Sequence, residues 1–425
     1  MSVERVVYCA AHAGFEADAP LGGGAAVARL LENEWRRTRP FELEMVTPAV
    51  LGGGAPSGQE LASFDEGRYA AFCREFSRAA TERILGHDPR RTAVLVNDIS
   101  EAPDFAALAR AGFRIVTVYH VDVVAYIAGI YLRGLVAPRR LAAAWRGLER
   151  LGAARAAPLI LRLIFERQAE SVRHSAAIVV PSSGMKRTLL ECWPEAREER
   201  IHVLPWGAPP AEGGEADAEA LRREYGVLPQ ERVLLALSRI SPEKGQDVLL
   251  ESLLAWERER GEAVPPVRLF VCGAPAYMQG RAHMAKLERL AARLRRIRVE
   301  FPGHVTGERK RAFFALADVY VFASRHESYG LTLMEALACG VPAVAVESDG
   351  TREIVRPEFG VLVGRERARS GLWRAVEGLL ADGERRKAMG EAARRFAGER
   401  PFASAAQRLA RLLASGEGEQ DSAAR

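Results

Sequence analysis

Apolar and polar positions along the chain fall into a repeating alternation. Short, nearly continuous apolar runs rich in β-branched residues predict strands at Val3–Cys9, Glu42–Val46, Ala93–Val96, Ile115–Tyr119 and Ala177–Val180. A second series follows at Val233–Leu237, Val267–Cys272, Val299–Phe301, Val319–Phe322, Ala343–Val346 and Gly360–Val363. Between most of them lie stretches of helical period, such as Ala25–Trp35, Gln246–Arg260 and Lys310–Ala317. Strands that are apolar throughout are covered on both faces, and intervening helices supply the cover. The pattern predicts an α/β fold with parallel sheets.

The alternation is interrupted once, at Ala208-Pro209-Pro210-Ala211-Glu212-Gly213-Gly214, where prolines and glycines read as a linker. This splits the chain into a domain over 1–206 and a second over 207–399. A helix at about 400–415 is predicted after them, and the polar, glycine-rich 416–425 reads as a disordered tail. The length, 425 residues, agrees with two domain cores. Two parallel-sheet domains and a linker make a cleft, and such sheets bind ligands at the carboxyl ends of their strands.

Composition removes several classes. Hydrophobic residues make up 48% and charged residues 27%, as in globular proteins. Five cysteines without a Cys-x-x-Cys pair argue against disulfides and zinc, and for a reducing, cytoplasmic setting. No apolar run approaches a membrane span. The formal net charge is +5, and residues 131–170 alone hold eight arginines against three glutamates. A nucleic-acid binder would spread its excess more widely, so no nucleic-acid partner is expected. Leu141, Trp145 and Leu148 in this segment recur at helical spacing among the arginines. Two readings stay open: a helix lying on anionic lipid at the inner face of the membrane, or a helix pair covering the first sheet, which the apolar residues also suit.

The residues after each strand carry the candidate chemistry. Gly22-Gly23-Gly24 opens a helix and lets an anion approach backbone N–H groups, although the spacing is not that of a nicotinamide-binding turn. Asn97 and Asp98 end one strand and either contact an acceptor or cap the helix near Pro103. His120 and Asp122 end the next; His120 can donate to a hydroxyl or a departing phosphate. Arg239 and Lys244 flank a proline turn before a helix, an arrangement suited to a diphosphate. In Ser324–Gly340, Glu327 precedes a short helix and Glu335 lies inside it among apolar residues. A carboxylate there needs donors, and vicinal ribose hydroxyls qualify. The free N–H groups of Tyr329, Gly330, Leu331 and Thr332 suit an anion.

Glu327-x7-Glu335 with Tyr329-Gly330-Leu331 between resembles the E-x7-E motif of the family 4 glycosyltransferases, a retaining, nucleotide-sugar-dependent group. The similarity extends through Gly340-Val341-Pro342, Gly350–Val355, Ser238–Gly245, Phe301–Val305, Val179–Met185 and Val203–Gly207. It implies the GT-B fold: two Rossmann-like domains facing a cleft, the last helix crossing back onto the first. It implies that Glu335 holds the donor ribose, and that Arg239 and Lys244 neutralise the diphosphate in place of a metal. By the same resemblance Glu327 and the amides of Tyr329 and Gly330 position the sugar, and the Val305 backbone meets the base. His120 faces the sugar, and Gly22 and Gly23 close over the phosphates. No cofactor is expected beyond the nucleotide-sugar donor, and the acceptor is a sugar, lipid-linked or small molecule. The alternatives are a GT-B nucleotide-sugar epimerase and a non-catalytic, nucleotide-binding pseudo-transferase.

Overall fold

The computed structural model of the chain describes residues 3–15, 21–132, 135–210, 217–276 and 279–414. Among these residues, twelve strands form two six-stranded sheets, and every hydrogen-bonded pair of strands runs parallel. The chain divides into two units, one ending at Trp206 and rejoined from Ala403 onward, the other spanning Gly207–Phe402. The disordered tail expected at 416–425 lies outside the described residues.

The first unit holds β1 (Arg5–Cys9), β2 (Glu42–Val46), β3 (Thr92–Val96), β4 (Arg114–Val118), β5 (Ala177–Val180) and β6 (Ile201–Val203), in the order β2-β1-β3-β4-β5-β6. Every residue of β3 is buried, as are the last four of β1 and β4, which accounts for their largely apolar character. Helix α1 (Gly23–Thr38) follows β1 and buries Val27, Ala28, Leu30, Leu31 and Trp35 on one face, the spacing that 3.6 residues per turn dictates. The terminal helix Phe402–Ala414 completes this unit. The Trp35 indole donates to the Ala406 carbonyl at 3.1 Å, Arg114 donates to the Leu412 carbonyl at 3.0 Å, and Leu409 and Leu413 are fully buried. Each buried leucine is worth about 1.5–3 kcal/mol relative to exposure.

The basic segment forms α2 (Pro138–Arg150), which starts on a proline as helices favour, and α3 (Leu159–His174). Trp145 of α2 stacks on Phe165 of α3 with ring centroids 4.4 Å apart. The apolar set therefore divides: Ala142, Trp145 and Leu163 enter the core, while Leu148 is 42% and Leu151 82% exposed.

The second unit holds β7 (Arg232–Leu237), β8 (Val267–Cys272), β9 (Ile297–Gly303), β10 (Val319–Phe322), β11 (Ala343–Val346) and β12 (Gly360–Val363), in the order β12-β11-β10-β7-β8-β9. Helix α4 (Gln246–Arg260) follows β7, α5 (Gly307–Leu316) follows β9, and α6 (Leu331–Ala338) follows β10. Trp256 of α4 stacks on Trp373 at 6.3 Å within the core that covers one face of this sheet.

Candidate active site

Each sheet has one place where the strand order reverses: between β1 and β3 in the first unit, between β7 and β10 in the second. Connections leave such neighbours on opposite faces and open a crevice at their carboxyl ends, the usual ligand site in this architecture. Arg239, Lys244, Glu327 and Gly330 follow the strands at the second of these points, and Gly22, Gly23, Asn97 and Asp98 those at the first, with His120 beside them.

In the second unit the loops after β7 and β10 are laced together. The Arg325 N–H donates to the Glu243 carbonyl at 2.8 Å, and the Ser324 hydroxyl to the same oxygen at 3.3 Å. Gly245 permits this approach. Its φ is +66°, and a Cβ there would sit 2.1 Å from the Ala323 carbonyl oxygen. The loop thereby brings two cations to the switch point. Arg239 lies 3.7 Å from Glu243, and the Lys244 ammonium donates to Glu327 Oε2 at 2.8 Å. Burial alone would raise the Glu243 carboxyl, but Arg239, the Ser241 hydroxyl and Lys244 outweigh it and hold it below its ordinary range. Glu327 and Lys244 are thus brought together, from positions 83 apart in the chain.

Helix α6 opens at Gly330. Its first internal hydrogen bond is from the Met334 N–H to the Gly330 carbonyl at 3.1 Å, so the N–H groups of Leu331, Thr332 and Leu333 have no acceptor within the helix. No acidic side chain occupies its first turn. An anion is favoured at such an end.

Several side chains differ from expectation. Glu335 is half-buried rather than sealed among apolar neighbours, and Lys310 of α5 donates to its Oε1 at 2.6 Å. Its carboxylate already has a donor, so burial by itself does not call for ribose hydroxyls. The Thr332 hydroxyl lies 2.9 Å from the Tyr320 hydroxyl, which also reaches the Leu237 carbonyl at 3.0 Å, so the Thr332 side chain turns inward. The Tyr329 side chain is buried, and its hydroxyl accepts the Gly207 N–H at 2.7 Å. Val305 is buried in the turn between β9 and α5, so only its backbone is suited to a ligand.

In the first unit, Cys9 of β1 lies opposite Val96 of β3, so the residues that follow emerge side by side. Asn97 there receives the Tyr8 hydroxyl at 2.6 Å and lies 2.9 Å from His120 Nε2. Asp98 lies 3.0 Å from His12 Nδ1, and the His12 N–H points at its other oxygen at 3.3 Å. His12 also lies 3.5 Å from Glu101, a buried carboxyl that accepts from the Tyr69 hydroxyl. Burial alone would raise the Asp98 carboxyl; His12, His120 and the Asn97 amide reverse this and hold it at about 2. Burial pushes Glu101 up, His12 pulls it back and Asp98 adds to the rise, with a net value above its ordinary range. Burial lowers His120 to about 4, against the pull of Asp98 and with help from His12, so the imidazole is neutral at pH 7.

His120, Asn97, Asp98 and the amino end of α1, where Gly22 and Gly23 lie, therefore form one cluster. A Cβ on Gly24 would lie 3.1 Å from the His120 ring and 3.6 Å from Asp98, so the third glycine of the triplet is a packing requirement. Asn97 and Asp98 do not cap the next helix; Asp104 does, accepting the Ala107 N–H at 2.8 Å. Asp122 does not join the cluster. Its oxygens accept the Ala125 N–H at 2.7 Å and the Gln168 amide at 3.0 Å, which makes it a buried helix cap instead of an acceptor contact. His12 and Glu101 were not anticipated, although His12 follows β1 and reading the residues past each strand would have found it.

Among the described residues, no three His, Cys, Asp or Glu side chains gather as a metal-binding group, and no helix is long and apolar enough to cross a membrane.

Residues 217–396 match the model of the family described as glycosyl transferases group 1. A D-inositol 3-phosphate glycosyltransferase of Geodermatophilus obscurus is 35% identical over 242 residues, 56% of this chain and 51% of that protein. A GDP-mannose-dependent alpha-(1-6)-phosphatidylinositol monomannoside mannosyltransferase of Mycolicibacterium smegmatis is 34% identical over 206 residues, 46% of this chain and 51% of that protein. The chain thus spans about half the length of the curated relatives it matches. In fold, it is similar to a sucrose-phosphate synthase of Thermosynechococcus elongatus, with a TM-score of 0.69 at 18% identity over 96% of this chain and 98% of that one. It is also similar to Anabaena HepE crystallised with UDP-glucose, with a TM-score of 0.65 at 16% identity over 96% and 99%. Residues 217–396 therefore resemble the glycosyl transferases group 1 family, within a chain of GT-B fold.

Proposed function

We propose that this chain transfers a sugar from a nucleoside-diphosphate sugar to an acceptor hydroxyl, with retention of configuration and without a metal. The observation that carries it is the switch point of the second sheet, where Arg239 is paired with Glu243 and Lys244 with Glu327, in the loop that leads into the open amino end of α6. Two cations and oriented amides suit the charge of a departing diphosphate, and stabilising such charge is the main catalytic term available. The cations are held by Glu243 and Glu327, which keeps them in place before the ligand arrives. Glu335 would accept from the ribose while retaining Lys310, Glu327 would contact the sugar, and neutral His120 would meet a sugar hydroxyl. The relatives' names favour an inositol phosphate, free or lipid-linked, as acceptor.

Thermal denaturation with UDP, GDP, ADP and their sugars tests the donor, because a ligand of the folded state raises its stability. One nucleotide should raise Tm, and the matching sugar donor should then be consumed with inositol phosphate present, in EDTA as well as in buffer. No shift with any nucleotide would refute the reading. Release of free nucleotide without an acceptor would favour the epimerase alternative.

A second reading concerns where the acceptor is met. Leu148 and Leu151 face solvent on α2 and just beyond it, beside the exposed Arg139, Arg140 and Arg150. This composition favours peripheral contact with anionic lipid, each basic residue near such a surface contributing about 1 kcal/mol. Sedimentation with phosphatidylglycerol vesicles should pellet the protein at low salt and release it at high salt. Protein that stays in the supernatant at low salt would leave the helix as simple cover for the sheet.

A further inference from the structure

Asn97 is 1% exposed, and its amide can face only one way. Its Nδ2 lies 3.4 Å from the Gly24 carbonyl oxygen and 3.2 Å from Asp98 Oδ1. A carbonyl only accepts, and Asp98, held at about 2, is a carboxylate at neutral pH and only accepts as well. Nδ2 must therefore point at them, which turns Oδ1 toward the Tyr8 hydroxyl at 2.6 Å and His120 Nε2 at 2.9 Å. An amide oxygen has no hydrogen to give, so the hydrogen in the latter bond belongs to the imidazole. A neutral imidazole carries one N–H, which leaves the lone pair on Nδ1.

We propose that Asn97 is a positioning residue: it fixes His120 as the Nε2–H tautomer and so presents Nδ1 as an acceptor to a substrate hydroxyl. The substrate half of this statement rests on the glycosyltransferase reading; the tautomer does not.

The groups facing the ring come from four elements. Asn97 and Asp98 follow β3, His12 follows β1, the Gly24 end of α1 covers one side, and the Trp206 ring lies 5.9 Å away. Asp98 draws a second proton toward His120, while burial and His12 oppose it and prevail. A side chain at position 97 that only filled space would leave both nitrogens open to exchange. The observed amide supplies an acceptor to one nitrogen and no donor to the other.

Nitrogen-15 NMR of the histidine-labelled full chain tests this, with the His120 signals assigned by their loss in His120→Gln. The wild type should show the Nε2–H tautomer at pH 7, and Asn97→Ala should show a mixture or the other tautomer. Asn97→Asp places a carboxylate against Nε2, so His120 should protonate at a pH higher by about one unit or more. The acid limb of its pH–rate profile should move to higher pH by the same amount, whereas damage limited to packing would lower the rate at every pH. An Nδ1–H tautomer in the wild type overturns the proposal, as does an Nε2–H tautomer that survives Asn97→Ala. If Asn97→Asp does not fold, the wild-type and Asn97→Ala spectra decide alone. Absence of transfer with every donor refutes the functional reading instead, since the spectra report on Asn97 without it.

Discussion

Gly245→Ala separates the position of the cation loop from its charge. The substitution touches neither Arg239 nor Lys244, yet it meets two obstacles. The first is conformational: φ is +66°, and an L-residue in that region pays about 1–2 kcal/mol. The second is steric: the new Cβ would lie 2.1 Å from the Ala323 carbonyl oxygen, where ordinary contact begins at 3.4 Å. The atom it meets is backbone and Cβ is fixed to the chain, so the loop after β7 must withdraw from the end of β10 by about 1 Å, and a misplacement of that size costs about 100-fold in rate. The strain alone lowers Tm by about 2–8 °C for a unit of this size. Calorimetric titration with the nucleotide that stabilises the wild type, followed by kcat/KM with its sugar, reads the two effects apart. The expected variant is folded, modestly less stable and about 100-fold slower. A folded Gly245→Ala protein with unchanged nucleotide affinity and rate would refute the claim that this contact sets the site.

Arg239→Ala and Lys244→Ala should each abolish turnover while circular dichroism shows the fold retained, with Tm lowered because Glu243 or Glu327 loses its cation; wild-type kcat in either would remove it from the machinery. Glu335→Gln should weaken nucleotide binding by about 1–3 kcal/mol, the worth of a charged hydrogen bond. Unchanged affinity by titration would make Glu335 a partner of Lys310 alone. Stability should depend on His120 in acid. Its value of about 4 lies below the ordinary 6.5, so between these values the unfolded chain binds the proton more readily, and stability present above pH 6.5 is lost as pH falls toward 4. His120→Gln should flatten urea-unfolding free energy across that window, and an unaltered slope would contradict the shift.

The strands could be read from the sequence because both faces of a parallel sheet are covered, which leaves runs such as Val233–Leu237 with no polar positions. β6 escaped notice because Ile201–Val203 is three residues long with a histidine at its centre. Arg239, Lys244 and Glu327 could be found because loop and helix chemistry marks strand ends. What joins them is less visible: the Lys244–Glu327 pair and the Gly245 contact link positions about 80 apart. The pairing of Glu335 with Lys310 spans only 25 positions but depends on how α5 and α6 lie in the fold. Asp122 misled for a related reason. A polar residue after a strand is as easily a helix cap as a ligand contact, and only its two hydrogen bonds decide.

The terminal helix Phe402–Ala414 has a consequence for how the protein is made. A ribosome produces the first sheet early, but Leu409 and Leu413, which finish that unit, emerge only after the whole of Gly207–Phe402 has been synthesised. At translation rates of about 5–20 residues per second this leaves the surface around Trp35 uncovered for about 10–40 s. The second unit is continuous in sequence and can close during that interval, whereas the first must wait, exposed to aggregation or held by a chaperone. Chains cut short between residues 364 and 402 would keep every residue of the cation loop and still present that apolar surface permanently, so such nonsense products should be insoluble.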